Sequence, residues 1–574
     1  MTATLQLCKA MYDKCCYYDP MSPSEKEAIA ASELSCTKQT MEGAGAAALR
    51  WSQVGSPLAW SFPAMLFTVA AMAAGAFAVY FYAPSWRLRR VPGPLAYGLL
   101  GHLPLLDKHG SQAFGVLAKR YGPIYRFYMG RQPVVVVADP ELCREAGIKK
   151  FKSMVDRSVP VTIASSPIQY KSLLFTKGST WQAMRNVIIS IYQPSHLASL
   201  IPAIQPYIKR AGSLFCPGEE ITFSDLSIRL FTDVIGQAAF GVDFGLTNEQ
   251  GGEKGIDGAV SGDFIEKHLY ATTSLKMDLS GSLSMVAGTF LPALQEPLRQ
   301  LLLRVPGSVD QRMDDSNASL SAELDGIVAE RTAQANSRRD GQKNFLSVLL
   351  NAIETSESMR ELFTPDYVSA LTYEHLIAGS GTMSFTLSSL AYLVAMHPMV
   401  EEKLLREIDA FEPKNTVPDA DDLRTKFPYL EQVLKETMRF FVGSPVLSRE
   451  ATDDVEIGGY FLPKGTWVWL ASEVLGRDPE QFQEPEAFRP ERFDPESEEC
   501  KRRHPYAFIP FGIGPRSCPG QKFAFQQLKL VVIYLYGRYV FRHSPSMESP
   551  LQLQFSIITN FKHGVKLQVI DRKA

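Results

Sequence analysis

The chain of 574 residues carries 59 basic against 61 acidic side chains for a formal net charge of -2, with 45% hydrophobic and 21% charged residues. This balance excludes a disordered chain, a collagen-like chain and a protein that holds nucleic acid through bulk positive charge. Eight cysteines, with Cys8, Cys15, Cys16 and Cys36 crowded near the N-terminus, form neither a disulfide framework nor a paired Cys-x-x-Cys zinc site, and they fit a reducing compartment.

In chain order, residues 1–50 mix acidic and basic side chains ahead of an Ala/Gly-rich stretch and read as a flexible extension, unlike an Arg-rich, acid-poor transit peptide. Residues 58–82 (LAWSFPAMLFTVAAMAAGAFAVYFY) are uncharged and long enough to cross the ~30 Å hydrocarbon core as a helix, which predicts a single-pass transmembrane anchor. Trp60, Tyr80, Tyr82 and Trp86 suit the two interfaces, and Arg87, Arg89 and Arg90 assign the larger C-terminal part to the cytosolic side. The span starts too far along the chain for a cleaved signal peptide. Residues 83–96, with Val91-Pro92-Gly93-Pro94, predict a basic, proline-rich hinge stiffened by fixed φ angles.

The body, residues 97–574, shows no repeat or linker and reads as one large domain, mainly α with small β-sheets, an α+β fold. Ile124–Met129 and Pro133–Val137 flank Gly130-Arg131-Gln132 as a β-hairpin, and a helix opens at Asp139-Pro140. Between Pro365 and Pro398 runs the longest proline-free helical pattern, ~48 Å if continuous at 1.5 Å per residue, long enough to cross the middle of a large domain.

The strongest chemical signal is Phe508-Ile-Pro-Phe-Gly-Ile-Gly-Pro-Arg-Ser-Cys518-Pro-Gly-Gln-Lys-Phe-Ala524. A Gly/Pro-rich loop delivers one cysteine to the start of an apolar helix expected over Gln521–Tyr539. Backbone N–H groups and the positive end of that helix favour a thiolate, a soft ligand for iron. Gly514 and Gly520 are expected to let the backbone approach a flat cofactor. The pattern Phe511-x-x-Gly514-x-Arg516-x-Cys518-x-Gly520 resembles the cytochrome P-450 family of haem-thiolate monooxygenases, over about residues 90–570. Glu436-Thr437-Met438-Arg439 and the arginine-bearing Phe488-Arg489-Pro490-Glu491-Arg492-Phe493 add to it; by the resemblance they are structural.

The resemblance implies the P-450 fold, haem b with Cys518 as its iron ligand, and electrons from NADPH through a cytochrome P-450 reductase. It further implies residence in the endoplasmic reticulum membrane with the catalytic domain cytosolic. Haem carboxylates need cations of bidentate geometry. The expected set is Arg185 of Trp181-x-x-x-Arg185, Arg449 and Arg516, with Trp181 as an indole donor and Ala378, Phe511 and Gly520 against the cofactor. On the oxygen side most of the family carries an acid and an alcohol, whereas this chain reads Ala378-Gly379-Ser380-Gly381-Thr382, without the acid. Two glycines inside a helix mark a weak point that could open a groove for oxygen and water. Thr382 is then the expected catalytic alcohol beside the ligand Cys518, with water completing the proton relay.

Runs such as Tyr192-Gln-Pro-Ser-His-Leu197, Lys276-Met-Asp-Leu-Ser-Gly-Ser282, Leu371-Thr-Tyr-Glu-His-Leu376 and His504-Pro-Tyr-Ala-Phe508 resemble plant carlactone oxidases of the MORE AXILLARY GROWTH type. That resemblance implies strigolactone biosynthesis: one methyl of carlactone, an apolar apocarotenoid, oxidised by dioxygen in successive rounds to carlactonoic acid, and onward to a ring-closed product as an open alternative. Other apolar terpenoid or xenobiotic substrates, and a reductase-independent isomerase resembling thromboxane synthase, are the alternatives. The expected pocket is formed by Ala378, Thr382, Val442–Leu447 and Ser556–Thr559.

Overall fold

The computed structural model describes residues 62–95, 98–160, 167–248, 263–274, 276, 278–337, 344–413 and 416–572. The extension over 1–50, residues 58–61 of the expected anchor and Met277 lie outside the described residues. The chain divides into two units, Met1–Phe77 and Ala78–Ala574.

The apolar segment forms one helix, Phe62–Arg87, so helix replaces the first five residues of the expected hinge. Pro84 sits inside it without breaking it. A proline leaves the carbonyl four residues back without its helical donor; that carbonyl, on Tyr80, accepts from Arg131 Nε at 3.0 Å while the Arg131 guanidinium lies 4.0 Å from the Tyr80 ring. Met65, Leu66, Phe67, Met72 and Val79 are exposed on the helix surface. The central helix, Pro365–Met396, is also apolar and long enough to cross a membrane, but the protein buries most of it.

The second unit is mostly helical with small sheets. The hairpin forms over Ile124–Met129 and Gln132–Val137, and its second strand pairs in parallel with Trp467–Leu470, which pairs in turn with Leu447–Glu450. The near-continuous apolar run Val134–Val137 is buried throughout, as a strand covered on both faces requires. Asp139 caps the following helix by accepting from Leu142 N–H. A three-stranded sheet joins Glu220–Thr222, Lys566–Asp571 and Tyr539–His543, so the helix expected to reach Tyr539 stops at Tyr536.

The central helix packs against Phe223–Ile235, Val309–Ser337 and Pro428–Phe440. It runs unbroken through Gly379 and Gly381, against the expectation of an opened groove. At Gly379 the reason is packing: a Cβ there would collide with Ile235 Cδ1, so the glycine lets the two helices meet closely.

Candidate active site

A cavity of about 370 Å3 lies between the central helix and the cysteine loop. Cys518 faces it; the Cys518 N–H donates to the Phe511 carbonyl at 2.7 Å, which curls the loop, and Gly520 starts the helix Gln521–Tyr536. Phe511 and Gly520 line the cavity, with the Phe511 ring centroid 5.6 Å from that of Phe525. Burial pushes the Cys518 thiol up, outweighing the Gly520 backbone N–H and the charges of Arg185 and Arg157. The loop and the cations pull towards the thiolate, and desolvation pulls against it. Gly514 departs from expectation. At φ 66° it makes room for the Gly147 carbonyl, which a Cβ would strike, and it is absent from the cavity wall.

Beside the loop lies a group of buried arginines. Arg516 donates to the carbonyls of Val155 (2.8 Å), Leu173 (3.3 Å) and Thr176 (2.9 Å), and its guanidinium carbon lies over the Trp181 ring, 3.9 Å from the centroid. Trp181 is thus a platform for Arg516, and it also lines the cavity. Arg185 lines the cavity, 5.8 Å from the same ring. Arg449 does not reach the wall: it is fully buried behind it, giving Nη1 to the Ser448 carbonyl and Nη2 to that of Ile513 because its strand sits under the loop. The sequence reading missed Arg157, which lines the cavity and donates Nη2 to the Arg516 carbonyl at 3.0 Å. Burial lowers Arg157 to about 10 and Arg516 to about 9, and lowers Arg449 strongly; repulsion from Arg157 adds to the fall of Arg516 and Arg449. The Nε atoms of Arg157 and Arg449 are buried without a partner. Buried cations in excess with unused donors fit a dianionic group bound next to Cys518.

On the opposite wall Ala378 and Thr382 face the cavity. The Thr382 hydroxyl donates to its own helix at the Ala378 carbonyl, 2.7 Å away. Glu374, also missed, is the only carboxyl on this cavity wall among the described residues. It accepts from the N–H groups of Leu173 (2.7 Å) and Leu174 (2.8 Å), and burial raises it to about 7. Its signal was present: Glu374, Ala378 and Thr382 follow at steps of four on one helical face. Gly443, Ser444 and Leu447 from one expected pocket segment and Ile557 and Ile558 from the other also line the cavity.

Beneath the site Glu436 binds Arg439 twice at 2.7 Å and Arg492 once at 3.1 Å, all three side chains wholly buried. Arg489 contributes its backbone N–H to the same carboxylate at 2.9 Å.

The family model of Cytochrome P450 matches residues 91–568. Thromboxane-A synthase of Sus scrofa is 27% identical over 523 residues, 84% of this chain and 92% of the relative. Its counterpart from Mus musculus is 27% identical over 498 residues, 79% of this chain and 87% of the relative. Cytochrome P450 3A13 of Mus musculus is 28% identical over 492 residues, 84% of this chain and 91% of the relative.

Proposed function

The chain belongs to the cytochrome P450 family, and we propose that within it the protein oxidises carlactone at one methyl group, in successive rounds, to carlactonoic acid. One observation carries the choice of substrate. Of the sequence runs that resemble those of carlactone oxidases, two bring side chains to the cavity wall: Tyr192 from one, and Tyr373, Glu374 and His375 from the other. The rest of the wall is largely apolar, as an apocarotenoid requires.

In this reading Cys518 ligates the iron of haem b, Arg157, Arg185 and Arg516 hold its carboxylates, and Arg449 adds charge from behind. The bound haem supplies dioxygen activation and insertion of one oxygen atom into a C–H bond. Trp181 keeps the Arg516 guanidinium in place, and Phe511, Gly520 and Ala378 bound the cofactor space. Thr382 lines the cavity, and its Oγ1, once it releases the Ala378 carbonyl, passes a proton between a cavity water and the oxygen side; Gly381 leaves that relay without a neighbouring acid. The helix Phe62–Arg87 is the single-pass anchor between the extension (1–50) and the hinge, holding the body (97–574) at the cytosolic face of the endoplasmic reticulum. There a cytochrome P-450 reductase delivers electrons from NADPH, and the apolar substrate arrives through the lipid. The exposed apolar surface of the helix and Arg87 at its end support the anchor.

Membranes containing the protein and a reductase, given carlactone and NADPH, should yield carlactonoic acid by mass spectrometry; unaltered carlactone would refute the substrate. Thr382→Ala should divert NADPH to hydrogen peroxide at the expense of product, and unchanged coupling would reduce Thr382 to a structural residue. A second reading, a reductase-independent isomerase, is favoured by the missing acid at Gly381 and by the 27% identity to thromboxane-A synthases. It requires turnover of a supplied endoperoxide without NADPH or reductase.

A further inference from the structure

A single peptide unit ties the carboxyl of the cavity wall to one of its arginines. Glu374 Oε1 accepts the Leu174 N–H at 2.8 Å, and Arg516 Nη1 donates to the Leu173 carbonyl at 3.3 Å. That carbonyl and that N–H belong to the same planar trans peptide, so they point away from it in opposite directions. Guanidinium, peptide and carboxyl therefore form one chain of hydrogen bonds, in which the peptide dipole lies between a cation and an acid and is polarised by both. Glu374 Oε2 accepts the preceding N–H, that of Leu173, at 2.7 Å, so one side chain grips two successive amides.

The same turn receives the other end of the guanidinium. Arg516 Nη2 donates to the Thr176 carbonyl at 2.9 Å, and the Thr176 hydroxyl closes the turn onto the Ser172 carbonyl at 2.7 Å. Nε reaches outside the turn, to the Val155 carbonyl at 2.8 Å, and Asp156 Oδ1 lies 3.5 Å from Nη2. Each terminal nitrogen of an arginine carries two hydrogens, and on Arg516 one of each pair is spent on residues 173–176. Where the other two point is set by where that turn sits, and Glu374 fastens the turn to the central helix. The carboxyl does not occupy the arginine donors itself, because both of its oxygens are engaged by main-chain N–H groups.

We infer that Glu374 is a positioning residue for Arg516: through the Leu173–Leu174 peptide it holds the guanidinium in the orientation that meets an anionic group of the cofactor. The inference rests on the reading in which Arg516 holds a haem carboxylate.

The test is a double-mutant cycle on the haem-loaded protein, with the rate of haem transfer to an apomyoglobin acceptor as the readout. It is run at pH 8, above the value of about 7 to which burial raises the Glu374 carboxyl. Glu374→Leu should speed transfer about tenfold. In an Arg516→Leu background it should add nothing, whereas in an Arg185→Leu background the full acceleration should persist. A side chain that merely supported the fold would act alike in both. Equal acceleration in the two backgrounds overturns the inference, and so does slower transfer from Glu374→Leu, which would make its charge a competitor of the bound anion. If a leucine variant fails to load haem, seen in the carbon monoxide difference spectrum, Glu374→Gln, Arg516→Lys or Arg185→Lys replaces it under the same criteria. An Arg516→Leu protein that releases haem no faster than the parent overturns the reading of Arg516, an outcome distinct from equal acceleration, and the inference falls with it.

Discussion

Two groups of buried arginines lie close to the cysteine loop and differ in one respect. In the first, Arg439 and Arg492 spend all five of their N–H donors each, on Glu436, Glu499 and main-chain carbonyls. In the second, Arg157 and Arg449 each keep a buried Nε unused, and the charge of Arg157 lowers the proton affinity of Arg449 and Arg516. A buried charge that finds its whole complement within the chain is part of the scaffold. One that does not has donors left over, here suited to an anion beside Cys518.

That contrast can be broken by mutation. Glu436→Ala strands two buried guanidinium groups and should cost about 3–5 kcal/mol, measured by urea unfolding of the haem-free protein; a loss below about 1 kcal/mol would erase the distinction between the groups. Arg157→Leu should leave haem-free stability within about 1 kcal/mol, because it also relieves repulsion, yet speed haem transfer to an apomyoglobin acceptor about tenfold or more. Equal effects on both measurements would make Arg157 another scaffold residue.

The smallest effect concerns Glu374. Its carboxyl is raised from the usual 4.5 to about 7, so the stability from burying the neutral form is complete below about pH 4.5 and lost as pH rises through 7. Glu374→Gln should therefore match the parent near pH 4.5 and exceed it above pH 7, by on the order of 1 kcal/mol in thermal unfolding. A gap that narrows with rising pH would reverse the sign of this account.

Much of this was legible before any coordinates. The cysteine loop, the Glu436–Arg439 spacing, the hairpin and the central helix are local patterns, because turn chemistry, a step of three or four and a period of two act between near neighbours. The partner of Arg157 was not legible: Arg157 meets Arg516 across 359 positions. Gly379 was flagged for the right place and the wrong task, since a residue's type says what it can do and only packing says what it touches. The anchor's end was misplaced because Pro84 normally stops a helix, and the donor that makes it tolerable comes from the hairpin turn.

The parallel pairing of the hairpin with Trp467–Leu470 has a consequence for how the protein is made. Val134 must wait for Trp467, roughly 330 residues later, which at 5–20 residues per second is on the order of tens of seconds of translation. Over that interval the ribosome has released Arg157 but not yet Cys518, so the cofactor cannot find its complete set of ligands on a nascent chain. With the proposed ligand set, haem capture follows synthesis of almost the entire polypeptide, and a truncated product lacking the last tenth of the chain would hold the arginines with no Cys518 to go with them.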